Sequence, residues 1–498
     1  MSGEGNTSSQ SVDALLEELE ELFCRSDSLS EEGLRAIIEQ RGCAPNNPRV
    51  TNYAFFLEAC SNERVTEGIL RYLLEYFPNA ASATDGFGWL PLHCIIGNRN
   101  VTLGMVQLLI NASPDSFRHG NYEGCTPLHT LCCHRNVDEE AVLEILKLLL
   151  EKCPGSARSA TNRGMLPIHY AAFNQSLEFC RILVDAYPES VTMTDNLGKL
   201  PFHWACGSSN IAKVKYLYQL HPESINVADN CGYPIHYAIQ VIDTNDPIEL
   251  LDLLQYLLDC DPNVLSQELD NKLPLYWVCT DATNDDSQKL NAYLKILQIL
   301  YDAYPEAIKA DEITSNVGRF CEEVQTFINT QLTYARQARD QALMTTRDEN
   351  GQLPLHRALH NNVTLGSIKL LVNGNPSAIC TFDIRGMIPL HVACQHHETP
   401  AVVEYLINLD EVTLTTADRE GNTALHHACR GANHATIAVL LDNYGSMSVS
   451  KRNAKKQLPI TLLLENKSND VSGRDDIKYV ESVYRLMRAH PETIVNST

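Results

Sequence analysis

The chain is short of positive charge. It sets 39 Lys and Arg against 62 Asp and Glu, a formal net charge of -23 over 498 residues. A surface that acidic repels phosphate backbones, which argues against nucleic acid and anionic membranes as partners and favours basic peptide segments. Long apolar runs are also missing. No stretch reaches the roughly 18 residues that a bilayer span needs. The first residues, MSGEGNTSSQSVDALLEELEELF, are acidic where a secretory leader is basic. No phosphate-cradling G-x-x-x-x-G-K loop, G-x-S-x-G elbow, H-E-x-x-H pair or kinase signature occurs, so neither an enzyme nor a cofactor is expected. Cysteine is plentiful, but its 17 copies are odd in number and follow no framework spacing. That pattern predicts free thiols in a soluble, reducing compartment, cytoplasmic with the nucleus as alternative, and the chain is expected to act as a monomer.

What is present is a repeated nonamer. Asp348 to His356 reads DENGQLPLH, Asp85 to His93 reads DGFGWLPLH, and Asp195 to His203 reads DNLGKLPFH. Asn121 to His129, Thr161 to His169, Asp383 to His391 and Asp418 to His426 follow the same plan, and Asp229 to His236 is one residue short. Worn copies end in Tyr276 and Thr461. Neighbouring copies lie roughly 33 to 40 residues apart, the period of a helical repeat array. The pattern resembles the ankyrin repeat, in which T-P-L-H-x-A follows a D-x-x-G turn. That resemblance implies an all-α solenoid of stacked helix pairs with short β-turn or hairpin tips, and a non-catalytic scaffold that binds proteins along a concave face. The alternative is an adaptor that recruits a substrate to an enzyme complex such as a ubiquitin ligase.

Each unit has the same physical grammar. Glycine allows the tight turn, and proline opens the first helix where its missing N–H costs nothing. A second helix, such as Ile211 to Leu220, ends at phrases like Ala186-Tyr187-Pro188-Glu189-Ser190. The residue before proline is pushed out of helical space there. Thr66, Thr102 and Thr364 stand where a hydroxyl can cap the following helix. Most units carry Leu or Ile where the family has Thr before its Pro; only Thr126 and Thr423 keep it. In the family that hydroxyl ties to the motif histidine, so most units are expected to trade the bond for apolar area.

Four segments follow. Residues 1–48 form an acidic leader with a leucine-rich helix that shields the first repeat. Residues 49–308 form a first repeat block, opened by a capping unit. Residues 309–347 are irregular, and residues 348–498 form a second block with a C-terminal cap. Between Arg319 and Leu343 there is no Pro or Gly, and apolar residues recur at three- and four-residue intervals. One helix of roughly 25 residues is predicted there. It is expected to pack on its neighbours as a degenerate repeat. The sharper reading has it project, open to coiled-coil pairing with a partner or a second copy.

The motif histidines His93, His129, His169, His203, His236, His356, His391 and His426 are read as structural. His129, Cys132, Cys133 and His134 are the one cluster dense enough to consider for zinc, but buried cysteines at a small-residue position explain the pattern better, and no metal is expected. Partner contacts are expected at the variable positions of the turns: Phe87, Trp89, Tyr122, Arg163, Met165, Leu197, Lys199, Tyr233, Arg385, Met387 and Arg419. Phe87 and Trp89 are the leading anchors, because exposed aromatics on rigid loops make interface hot spots. Division into two blocks predicts that denaturant unfolds the chain in two steps; one sharp step would mean that the irregular helix couples them.

Overall fold

Proline sets the phase of most units. It occupies the first turn of the inner helices Pro91–Ile96, Pro127–Cys133, Pro167–Asn174 and Pro201–Gly207. After most outer helices a second proline opens a 3-10 turn, as at Pro188–Thr192 after Leu177–Ala186. Tyr187, between them, is forced to φ -149° and ψ 83°, so the helix stops there. The outer helices begin at side-chain caps. Thr66, Thr102 and Thr364 accept from the N–H groups of Ile69, Met105 and Ser367 at 3.2–3.3 Å, as their positions in the sequence predict.

The computed structural model describes residues 14–23, 29–41, 44–47, 50–134, 138–208, 210–240, 247–282, 287–396, 399–444, 448–467 and 476–489. Among these it is an all-α ankyrin-type solenoid of stacked helix pairs, and no strand is formed. One isolated β-bridge joins Asp229 to Gly232. No described helix is long and apolar enough to cross a membrane. The chain divides into two compact units, Met1–Asp270 and Asn271–Thr498.

In the first unit the leader packs down. Leu15, Leu19 and Phe23 of the helix at 14–23 are buried, as are Leu34 and Ile38 of Glu31–Gln40. Asn62 donates to the carbonyl of Phe23 at 2.8 Å. Residues 54–76 form a complete helix pair, Ala54–Ser61 and Glu67–Tyr76, ahead of the first nonamer.

In the second unit the irregular segment departs from the sequence expectation. A short helix Asp311–Asn316 and a 3-10 turn Val317–Arg319 precede a helix Glu322–Arg339 of 18 residues. The helix is shorter than predicted because Asp340 leaves helical space and its carboxylate caps the next turn, accepting from Ala342 and Leu343. An acidic residue can end a helix this way without proline or glycine. Val324, Ile328, Gln331 and Ala335 are buried against the outer helix Leu365–Gly374. Ser367 donates to Oε1 of Gln331 at 2.5 Å, and the Tyr301 hydroxyl lies 3.1 Å from Ser367 Oγ. The helix is therefore packed and not projecting.

Gly366 sits where that packing is tightest. A Cβ there would meet the Tyr301 ring at 2.7 Å and its carbonyl oxygen at 2.8 Å. The equivalent Gly104 faces only the flexible end of Glu67. Gly366→Ala should therefore cost about 1–3 kcal/mol, and Gly104→Ala much less. Denaturant midpoints for the two variants would check this; equal losses would refute the close approach at Gly366.

Candidate interaction face

Each tip is closed by its first side chain. Asp85 Oδ1 accepts from the N–H groups of Phe87 and Trp89, both at 2.8 Å. Asn121 and Asp383 do the same for their turns, so an amide oxygen replaces a carboxylate without loss. Glycine at the fourth position is required twice over at Gly88. Its φ is +81°, and a Cβ would come within 2.9 Å of the Tyr122 ring of the next tip.

Successive tips are then joined backbone to backbone. In the first unit Tyr122 donates to Phe87, Asn162 to Glu123, Asn196 to Arg163 and Asn230 to Leu197, at 2.8–3.1 Å. In the second, Ile384 donates to Asn350, Arg419 to Arg385 and Ala454 to Glu420. The tips are thus one bonded row within each unit.

The motif histidines form a second row of ties. Nδ1 of His93 accepts the N–H of Leu90 at 3.1 Å, which leaves Nε2 to carry the proton. Nε2 then donates to the carbonyl of Cys125 in the next unit at 3.0 Å. His129 repeats this toward Met165, His356 toward Met387 and His426 toward Gln457. Thr126 and Thr423 add the hydroxyl contact, 2.9 Å from the ring nitrogen. Where Leu replaces Thr only that hydroxyl is lost. The backbone N–H still satisfies Nδ1, so the trade expected from the sequence is smaller than it looked. At His236 Nε2 finds no partner among the described residues.

The variable turn positions split by geometry. Phe87 and Tyr122 are each 72% exposed, Leu197 is 49% exposed, and Arg163, Arg385 and Arg419 are exposed. The fifth position behaves differently. Its N–H and carbonyl both close the turn, which rolls the side chain inward. Met165 and Met387 are therefore buried, not outward-facing as the sequence suggested. Asn422 is also buried and holds the Asp418 carboxylate. Trp89 is half-buried, edge-on to the His93 ring at 5.5 Å. Lys199 is held in place: its Nζ lies 5.0 Å from the Trp204 ring centre, 4.9 Å from that of Tyr237 and 3.9 Å from Asp229. Tyr233 belongs to the shortened turn, where its N–H donates to His236 and it serves as the residue before proline.

The zinc-like cluster is already committed elsewhere. Both His129 nitrogens have partners, Cys132 is buried with its thiol pushed well up by desolvation, and His134 Nε2 contacts the Gly97 carbonyl. The loop doublet His396-His397 with Glu398, which the sequence marks as solvated rather than catalytic, lies partly outside the described residues; His396 is exposed beside the His360 ring.

One feature of the face was not read from the sequence. The five inner helices that begin at Pro91, Pro127, Pro167, Pro201 and Pro234 contain no Lys, Arg, Asp or Glu. Their half-exposed positions hold Tyr170, Phe173, Trp204 and Tyr237 instead. Yet residues 1–270 carry 36 acidic against 17 basic side chains, a balance of -19. The charge is placed elsewhere on the unit, as on the outer helix Glu139–Lys152. The signal was available: reading the residue after each motif histidine down the repeats gives Cys94, Thr130, Tyr170, Trp204 and Tyr237.

The family model for ankyrin repeats, in three copies, matches residues 103–193, 137–229 and 355–453. The chain is an ankyrin-repeat protein. No curated protein matches it. Ankyrin repeats are in general protein–protein interaction modules, and the family is typically non-catalytic.

The histidine ties make this array acid-sensitive. Burial pushes the imidazoles down, to about 4 at His93, His129, His236, His391 and His426 and in the same direction at His169, His203 and His356. Their folded values lie below the ordinary 6.5, so their contribution is complete above pH 6.5 and is lost as pH falls toward 4. Over that window the unfolded chain binds protons that the folded array refuses. The urea midpoint should fall steadily from pH 7 to pH 5, before most carboxylates titrate. A flat midpoint over that range would contradict the neutral, buried state.

Proposed function

We propose that this ankyrin array is a non-catalytic scaffold whose first unit binds a partner protein across its tips and inner helices. The observation that carries this reading is the run of five charge-free inner helices, bearing Tyr170, Phe173, Trp204 and Tyr237, on an otherwise acidic unit. Interface centres are depleted in charge and enriched in Tyr, Trp and Phe. A face with no such role has no reason to shed charge while the rest of its unit accumulates it. The bonded row of tips supports the same reading, because rigid anchors lose little freedom on binding.

The net charge of the unit favours a basic segment as partner. Its long-range field draws positive groups in, and its rings suit cations, as the Lys199 ammonium beside Trp204 and Tyr237 illustrates. The adaptor alternative would need a recruiting element outside the repeats. Both segments that could supply one have their apolar faces turned against their own unit, at Leu15 and Leu19 and at Val324 and Ile328. No observation favours it.

Phe87→Ala with Tyr122→Ala removes the two most exposed tip aromatics without touching the histidine ties. Hot-spot aromatics cost over roughly 2 kcal/mol each when truncated. A partner captured from native lysate by the wild type should be lost by this variant. It should be kept by Leu220→Ala, which trims an exposed residue on an outer helix. Equal capture by all three, with the fold intact by circular dichroism, would place binding elsewhere.

A further inference from the structure

The second unit presents a different surface at the equivalent place. Its tips and inner helices carry Arg347, Arg357, Arg385, Arg419 and Lys455, all exposed. Arg347 and Arg419 are fixed to the bonded row by their side chains. Arg419 donates its N–H to the carbonyl of Arg385, so the two residues flank a single inter-tip bond of 3.1 Å. The stem of Arg419 lies across the neighbouring turn, where a Cβ on Gly386 would come within 2.8 Å of its Cγ. Arg347 braces the first tip, with Nη1 donating to the carbonyls of Gly351 at 2.8 Å and Phe382 at 2.7 Å.

Arg357 follows the motif histidine on the inner helix Pro354–His360 and is exposed. The residue at the same place in another repeat of this unit, His427, contacts the tip carboxylate of Asp418 at 2.9 Å.

The tip carboxylates keep their charge but are held by donors other than these arginines. Asp348 and Asp383 each close their own turns through backbone N–H groups. Asp418 is held by His427 and Asn422, and Glu420 lies 3.6 Å from Arg430. Glu349 is the exposed exception. Among the described residues the guanidinium groups of Arg357, Arg385 and Arg419 make no ion pair. Exposed guanidiniums with no ion pair, carried on tips that are bonded to one another, are free to meet the carboxylates of a partner.

We propose that the tip face of the second unit docks an Asp- and Glu-rich segment of a partner protein, with Arg385 and Arg419 as its central contacts. Arginine suits this role because its planar fork binds carboxylates in pairs of hydrogen bonds. The exposed Ile384 and Phe382, 51% and 50% accessible, lie beside the row and fit an apolar residue within the acidic segment. The inference rests on reading the array as an interaction surface, but it names a second face and a ligand of opposite charge to that of the first.

Fluorescence anisotropy of the full chain with a fluorescein-labelled oligo-glutamate peptide tests it. Binding should be saturable and should weaken as salt rises. Arg385→Glu with Arg419→Glu should weaken it by roughly tenfold or more. Arg336→Glu with Arg339→Glu makes the same change in net charge on the helix Glu322–Arg339 and should leave binding unaltered. The Phe87→Ala, Tyr122→Ala variant should also bind the peptide normally, which separates this proposal from the reading of the first unit. The proposal is overturned if no binding is measured, if Arg385→Glu with Arg419→Glu binds like wild type, or if the Arg336 and Arg339 control loses as much. It is equally overturned if single-stranded poly(U) displaces the peptide more readily than unlabelled oligo-glutamate does.

Discussion

The structure depends on one hydrogen bond made over and over. A buried imidazole accepts a backbone N–H from its own repeat and donates Nε2–H to a carbonyl of the next. A single neutral hydrogen bond contributes only about 1 kcal/mol. Its importance lies in what it fixes. It sets the tautomer, the entry angle of each inner helix and the distance from one turn to the following one. The tips can then bond to each other directly, and each unit acquires an edge whose residues keep fixed spacing. In a solenoid each repeat contacts only its neighbours, so such ties act alongside the apolar core that runs through the stack.

Most of the architecture was legible because it is local. Proline at the first helical position, a polar cap such as threonine before the outer helix and proline after most outer helices dictate their own geometry, and the elements begin and end where those residues stand. The misses came from contacts that sequence spacing does not encode. The pattern D-x-x-G-x treats its last position as free, yet that residue's backbone closes the turn, and so Met165 and Met387 are buried. The irregular helix ends at Asp340 because a carboxylate turned back to cap the next turn, an event with no proline or glycine to announce it. Asn98 and Gln175 are a third kind. Each amide reaches back to carbonyls of the preceding repeat, and nothing in the motif points to them.

The candidate face was only partly legible for the same reason. Phe87 and Tyr122 stand out in the sequence and stand out in space. Lys199 looked equally free, but two aromatic rings and Asp229 hold it. The stronger signal was negative: five inner helices with no charged residue. It emerges only when the chain is read across repeats rather than along them. The same cross-reading separates the tips, which carry Phe87 and Tyr122 in one unit and Arg385 and Arg419 in the other.

The central claim is that the motif histidines are neutral Nε2–H tautomers joining adjacent repeats. Long-range proton–nitrogen NMR on histidine-labelled protein reports ring tautomer directly. The account predicts neutral Nε2–H signals for His93, His129, His169, His203, His356, His391 and His426, persisting as the pH is lowered from 7 to 5.5. Imidazolium signals for this set at pH 6, or neutral rings protonated on Nδ1, would contradict it.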